Sequence, residues 1–293
     1  MIIYNPKDWL HSVLSFHRSE TIKKLYPYIV LMALYCWAIA YLEMEYLKLS
    51  EQSWLRNIPS THSLLGFVLS ILLVFRTNTA YDRWWEGRKL WGQLTNNSRN
   101  LALRIESLLP VHDKVNRSFY KKSIPLFANT LKEHLQSNQT RFMLDEKDHP
   151  EFMKLDENKH GPNQVASMIF KRTNALYKEG IISGDHLILL NNELLSFTDI
   201  CGSCERIKNT PIPFTYTSFI KKFISIYVLT LPYGFVFSLG YFVVPAVVFA
   251  FYVLTSLEMI AEEIEDPFGS DLNDLPLGKI AENIRKHVGE IIH

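Results

Sequence analysis

"FISIYVLTLPYGFVFSLGYFVVPAVVFAFYVLTSL", Phe223 to Leu257, runs for 35 residues without a formal charge, between Lys222 and Glu258. Helices on the surface of soluble proteins carry a polar face, so an uncharged run of this length argues for lipid rather than for a buried core. A bilayer's hydrocarbon is crossed by roughly 20 apolar residues, and as one helix this stretch would reach ~52 Å against the ~30 Å to be spanned. Pro232, Gly234, Gly240 and Pro245 lie inside it and can turn or kink the chain. The run therefore reads as two tightly linked spans.

Two shorter uncharged windows suit one span each, giving four in all. They are Leu25 to Leu42, 18 residues between Lys24 and Glu43, and Asn57 to Phe75, 19 residues between Arg56 and Arg76. Whole-chain averages conceal these blocks, because the formal charge is only +1 and the mean hydropathy is near zero. So small a net charge gives no case for a nucleic-acid partner. Lys and Arg set orientation, since they stay on the cytoplasmic side of short loops. Lys7, Arg18, Lys23 and Lys24 precede the first span, Arg76, Arg83, Arg88 and Lys89 follow the second, and Lys221 and Lys222 precede the third. The link between the first two holds Glu43, Glu45 and Glu51 against Lys48 and Arg56. Both termini are thus expected in the cytoplasm. The first 24 residues are polar and amphipathic and lack the short apolar core of a cleavable signal.

Between the second and third spans, the polar section from Thr77 to Ile220 is too long for a loop. No proline interrupts Pro59 to Pro110, so the second span is expected to continue as helix beyond the membrane. Its continuation repeats Trp91, Leu94, Ser98, Leu101, Ile105 and Leu108 at heptad spacing. Leu187, Leu190, Leu194, Phe197, Cys201 and Cys204 form a second seam after the helix-start signal at Ser183. Between the seams, "NQVASMIFKRTNALYKEG" predicts a helix from Pro162 to about Gly180. The stretch from Ser137 to Gln164, charged and broken by Pro150 and Pro162, reads as a surface loop. No segment alternates as a strand, so the expectation is an all-α membrane protein. Its divisions are a cytosolic segment 1–24, a transmembrane hairpin with interfacial continuation 25–92 (spans about 25–45 and 58–80), a cytosolic helical domain 93–220, a second transmembrane hairpin 221–264 and a cytosolic segment 265–293.

Chemistry-bearing motifs are few. "CGSC", Cys201 to Cys204, has redox or zinc spacing, but both sulfurs fall on the heptad seam and no second pair completes a zinc site. The ten histidines form no HExxH-like motif, and no nucleotide, phosphate or nucleophile signature is present. Catalysis and cofactors are therefore not expected. In the second span Phe67, Ile71 and Phe75 share one stripe, beside a small-residue pair, Gly66 and Ser70. Spacing alone favours ordinary bundle packing, although the same stripe repeated around an axis would stack apolar rings that gate by dewetting. Tyr81, Trp84 and Trp85 suit the headgroup region. Arg76 and Arg83 can snorkel to phosphate or pair with Asp82, and Trp84 and Trp85 can meet Arg88 and Lys89. Lipid does not explain Thr77, Asn78 and Thr79.

Three blocks resemble the bestrophin family, and its bacterial branch closely: "GFVLSILLVFRTNTAYDRWWEGRKLWG" from Gly66, "GSCERIKNTPIPFTYTSFI" from Gly202 and "EEIEDPFGSDLNDLPL" from Glu262. The resemblance covers nearly the whole chain. It implies a homopentameric ion channel in the bacterial inner membrane, with four membrane helices per subunit around one pore and a helical cytosolic body. Its partners would be its own copies, membrane lipid and small monovalent ions. The family's neck rings correspond to Phe67, Ile71 and Phe75, and Thr77, Asn78 and Thr79 would open onto a wet vestibule or cross-link subunits. A second, cytosolic aperture corresponds to Asp185, within one turn, so that Ile182 or His186 are alternatives. Five carboxylates there would favour cations, and bacterial members lean that way; chloride conduction, as in animal members, is the alternative. Asp271 and Asp274 remain of the acidic run that holds calcium in animal members, with Leu272 and Asn273 between them. They are weak calcium candidates, against a structural role in wrapping a neighbour. Two rivals of other classes are a membrane redox protein using "CGSC" and a scaffold using the heptad seams.

Overall fold

The computed structural model describes residues 20–47, 58–136, 156 and 159–293. The uncharged run beginning at Phe223 breaks once. It lies within α6 (Phe214–Leu239), a single 3-10 turn (Gly240–Phe242) and α7 (Val243–Glu265). Gly240 has φ +54°, a conformation that favours glycine. Of the other suspected breakers, Pro232 and Gly234 lie within α6. Pro245 falls in the first turn of α7, where its missing N–H leaves no helix bond unmade. α6 and α7 pack against each other as a hairpin.

Among the described residues the other elements are α1 (Glu20–Tyr41), running into a π-helical turn (Leu42–Tyr46), and α2 (Ile58–Leu108). They continue with α3 (Lys114–Gln136), α4 (Gly161–Lys178), α5 (Gly184–Asn209) and, after α7, α8 (Leu277–Ile291). No strand occurs among the described residues. Residues 1–19, most of the N-terminal segment, lie outside the described residues, as do most of the link between the first two spans and most of the loop expected from Ser137.

The chain divides into two compact units. One comprises α1, α2 as far as Asp82, and α6 with α7. Its core is a narrow strip of Met32, Cys36 and Ala40, Leu69 and Leu73, and apolar positions of α6 and α7 from Ile220 to Val247. Large apolar side chains elsewhere on these helices are exposed, among them Trp37, Leu64, Phe67 and Phe249. Three helical stretches, Thr21–Tyr46, Ile58–Leu108 and Phe214–Glu265, are long and apolar enough to cross a membrane, yet only 17% of each one's most apolar window is buried. Core helices of a soluble protein would show the reverse, so the solvent these faces suit is lipid.

The other unit comprises the rest of α2, α3 to α5, and residues 266–293 with α8. The first unit ends at Asp82, ten residues before the boundary at 92 expected from sequence. The reason is that Trp91 and Leu94 are fully buried in this second core, with Leu101 and Ile105 beyond them. Both heptad seams point inward: Ser98 is buried with its neighbours, and Leu190, Leu194, Phe197, Cys201 and Cys204 are buried in the same core, where the Phe197 ring packs against Phe127 of α3. Each such buried Leu or Phe contributes about 1.5–3 kcal/mol of transfer free energy. Ser183 caps α5, accepting the His186 N–H. Arg117 closes the end of α2, donating to the carbonyls of Glu106, Leu109 and Pro110 and to the Glu106 carboxylate.

Candidate functional site

The face of interest is built by the register of α2. Its buried positions fall on one stripe, His62, Leu69, Leu73, Arg76 and Ala80 in the first unit and Trp91, Leu94, Ser98, Leu101 and Ile105 in the second. At about 100° per residue, Phe67, Ile71 and Phe75 lie almost opposite that stripe. They are 65%, 41% and 61% exposed, so no helix among the described residues covers them. Of the adjacent small pair, Gly66 does accept a neighbour: an added Cβ would lie 2.7 Å from the Tyr227 hydroxyl oxygen. Ser70 is exposed, and its hydroxyl donates back to the Gly66 carbonyl at 2.8 Å.

The three polar residues after Phe75 divide. Thr77 and Thr79 turn their hydroxyls back onto α2, to the carbonyls of Leu73 (2.8 Å) and Phe75 (2.9 Å). Only Asn78, exposed and in line with the apolar stripe, presents a polar group along it.

Arg76 departs from expectation. It neither reaches toward lipid nor pairs with Asp82, because the register places it on the buried stripe with no exposed surface. Its Nη2 lies 2.7 Å from Glu265 Oε2 and its Nε 3.6 Å from Glu258 Oε1, both on α7. Glu265 also accepts the Ile212 N–H at 2.7 Å. Two more pairs join helices of this unit, Lys221 with Glu262 at 2.8 Å and Lys24 with Glu263 at 3.4 Å. The acidic end of α7 thus holds α1, α2 and α6 by charge directly beside Phe75.

Arg83 is likewise redirected. It donates to the carbonyls of Ile207 and Thr210, capping α5 where its last carbonyls lack helix partners. Trp84 donates its indole N–H to the Asn273 carbonyl at 3.0 Å.

At the other end of α5, Asp185 is exposed in the first turn, where a carboxylate favourably meets the helix dipole. His186 is half-buried. Ile182 is 4% exposed and belongs to the core, which leaves it no surface to offer an aperture. Asp271 is exposed, whereas Asp274 is buried and its Oδ2 accepts the Asp271 N–H at 2.5 Å. Calcium takes six to eight oxygens, so these two carboxylates alone do not complete a site. Both thiols are buried, and burial pushes Cys201 up to about 12 and Cys204 higher still, away from the reactive thiolate form.

Sequence patterns did not reveal the ionic cluster at Arg76, whose partners lie more than 180 residues away. The register of the stripe does betray it, since Arg76 occupies a seam position. A second grouping, His134, His160 and Glu205, was also hidden by separation along the chain.

The chain matches the model of the Bacterial/Fungal Bestrophin protein family over residues 1–290. It is 34% identical over 244 residues to a voltage-dependent anion channel-forming protein of Nostoc, covering 80% of each chain. To the voltage-dependent anion channel-forming protein YneE of Escherichia coli it is 30% identical over 285 residues, 97% of this chain and 91% of that one. The fold superimposes on a crystal structure of a bacterial bestrophin homologue from Klebsiella pneumoniae with TM-score 0.77 and 26% identity, covering 92% of this chain and 98% of the other. Whole-chain coverage by the family model and by relatives of this identity shows that the chain belongs to the bacterial/fungal bestrophin family.

Proposed function

We propose that this protein is a passive ion channel in which five copies surround one pore and the Phe67, Ile71 and Phe75 face of α2 lines its neck. The observation that carries the reading is that uncovered stripe: three large apolar side chains turned away from the subunit's own core and followed in line by Asn78. Five copies around an axis would stack them into three dry rings opening at Asn78 onto water. α1, the first part of α2, α6 and α7 serve as four spans. α6 and α7 are 26 and 23 residues long, enough for one crossing each. The distribution of Lys and Arg supports a cytoplasmic location for both termini, in a bacterial inner membrane.

For the ion, the cation preference expected from Asp185 gives way to anions. Relatives matching most of this chain are named as anion channel-forming proteins, and the place of Asp185 in a helix's first turn has an ordinary electrostatic reason. Apolar rings do not choose the sign of charge. Purified protein in a planar bilayer with asymmetric sodium chloride tests this: reversal near the chloride equilibrium potential is expected. Reversal near the sodium potential would restore the cation reading, and absence of conductance would favour the scaffold.

A further inference from the structure

We propose that His134, His160 and Glu205 form a binding site for one zinc-class divalent transition ion per chain. His134 stands in the last turn of α3, His160 caps the start of α4, and Glu205 lies near the end of α5. One carboxylate oxygen, Glu205 Oε1, lies 2.6 Å from His134 Nε2 and 2.5 Å from His160 Nε2. The three ligand atoms all lie within 4.8 Å of one another, and the two imidazole rings are 4.4 Å apart. The side chains are 27%, 31% and 28% exposed, so an ion can reach them from solvent.

Two imidazoles and a carboxylate are poor ligands for calcium or magnesium and match zinc, for which three protein ligands leave a fourth corner to water. Ligands ~2.0–2.1 Å from a tetrahedral ion stand roughly 3.3–3.4 Å apart. The two short distances therefore open by less than an ångström, a matter of side-chain rotation.

Without the ion the same groups make an ordinary double hydrogen bond, and the tautomers say what zinc must change. His160 Nδ1 accepts the Asn163 N–H at 3.2 Å, so its Nε2 carries the proton given to Glu205. Zinc at Nε2 displaces that proton to Nδ1 and ends the cap. One neutral cap bond is weak beside the ion's own bonds, so the exchange favours the metal and leaves a signature at Asn163. Lys208, whose Nζ donates to the His134 carbonyl at 3.1 Å, opposes a cation, and the Glu205 charge offsets it.

Metal-stripped full-length protein in detergent is titrated with zinc against a chromophoric chelator. One ion per chain is expected, undisturbed by millimolar calcium, with H134Q and H160Q each weakening binding about tenfold or more. X-ray absorption of the wild-type zinc complex should show nitrogen and oxygen ligands with imidazole scattering, and amide exchange at Asn163 should quicken. Failure of the wild type to bind, sulfur scattering from the Cys201 region, or unchanged affinity in folded H134Q/H160Q overturns the site. If the variants do not fold, the wild-type absorption spectrum decides.

Discussion

One peptide bond separates Phe75, which is 61% exposed, from Arg76, which is fully buried, and the turn of about 100° between them serves both roles of α2. If Phe67, Ile71 and Phe75 make a dewetted neck, truncation to Ala should widen and wet it. Liposome ion flux through the F67A/I71A/F75A pentamer is expected to rise several-fold, and unchanged flux would contradict the neck. N78L should do the opposite, because it carries the dry face one turn further. Thr77 and Thr79 offer a contrast: their hydroxyls are already taken by α2 carbonyls, so T77V and T79V should leave flux nearly unaltered. The thiols make a separate residue-level prediction. With Cys201 pushed up to about 12, native protein at pH 8 should resist iodoacetamide at Cys201 and Cys204 and react only on unfolding, as peptide mapping would read. Rapid native labelling would reopen the redox reading of "CGSC".

At the scale of elements, arginines tie helices together or close their ends. Arg76 ties α2 to α7, and removing one partner of a buried pair leaves an uncompensated charge at a cost of about 3–5 kcal/mol. R76M should therefore lower the thermal midpoint sharply in detergent, while R76M/E258Q/E265Q, which removes the charges together, should recover part of the loss. Equal destabilisation of the two would show that packing of the guanidinium, rather than charge, holds the helices. Arg117 closes the C-terminal end of α2, and its hydrogen bond to Glu106 holds that carboxyl below the usual carboxylate range. A depressed folded pKa contributes stability that is complete above the unfolded value and is lost as pH falls through the folded one. Wild-type thermal midpoint should thus fall more steeply than that of E106Q below the ordinary range of glutamate, near pH 4. Parallel curves would remove this pair from the acid response.

Across the whole molecule, what was legible in sequence is what depends on local periodicity. Uncharged runs marked the membrane helices, 3-4 spacing marked the seams, Ser183 marked the start of α5, and the absence of proline marked the length of α2. The break at Gly240 was one of four candidates, because a proline in the first turn of a helix or within a packed one need not interrupt it. Arg76 and Arg83 were misjudged for a common reason: an arginine beside an apolar run looks interfacial, and only tertiary partners far along the chain reveal it as an internal fastener. Asp185 marks the same limit for function, since sequence supplies its charge but not what it faces. That leads to the assembly. Native mass spectrometry should give about 170 kDa, five times the 34.1 kDa chain. Through that pentamer, a tenfold chloride gradient sets an ideal reversal of about 59 mV for a monovalent anion. If Asp185 serves mainly the dipole of α5, D185N should leave the sign and size of the reversal potential unchanged and lower only thermal stability slightly, by about 0.3–1 kcal/mol. If five Asp185 carboxylates line the exit, D185N should instead shift reversal further toward the chloride potential, because a ring that repels anions has been neutralised. Measuring wild type and D185N in the same gradient separates a structural carboxylate from one in the ion path.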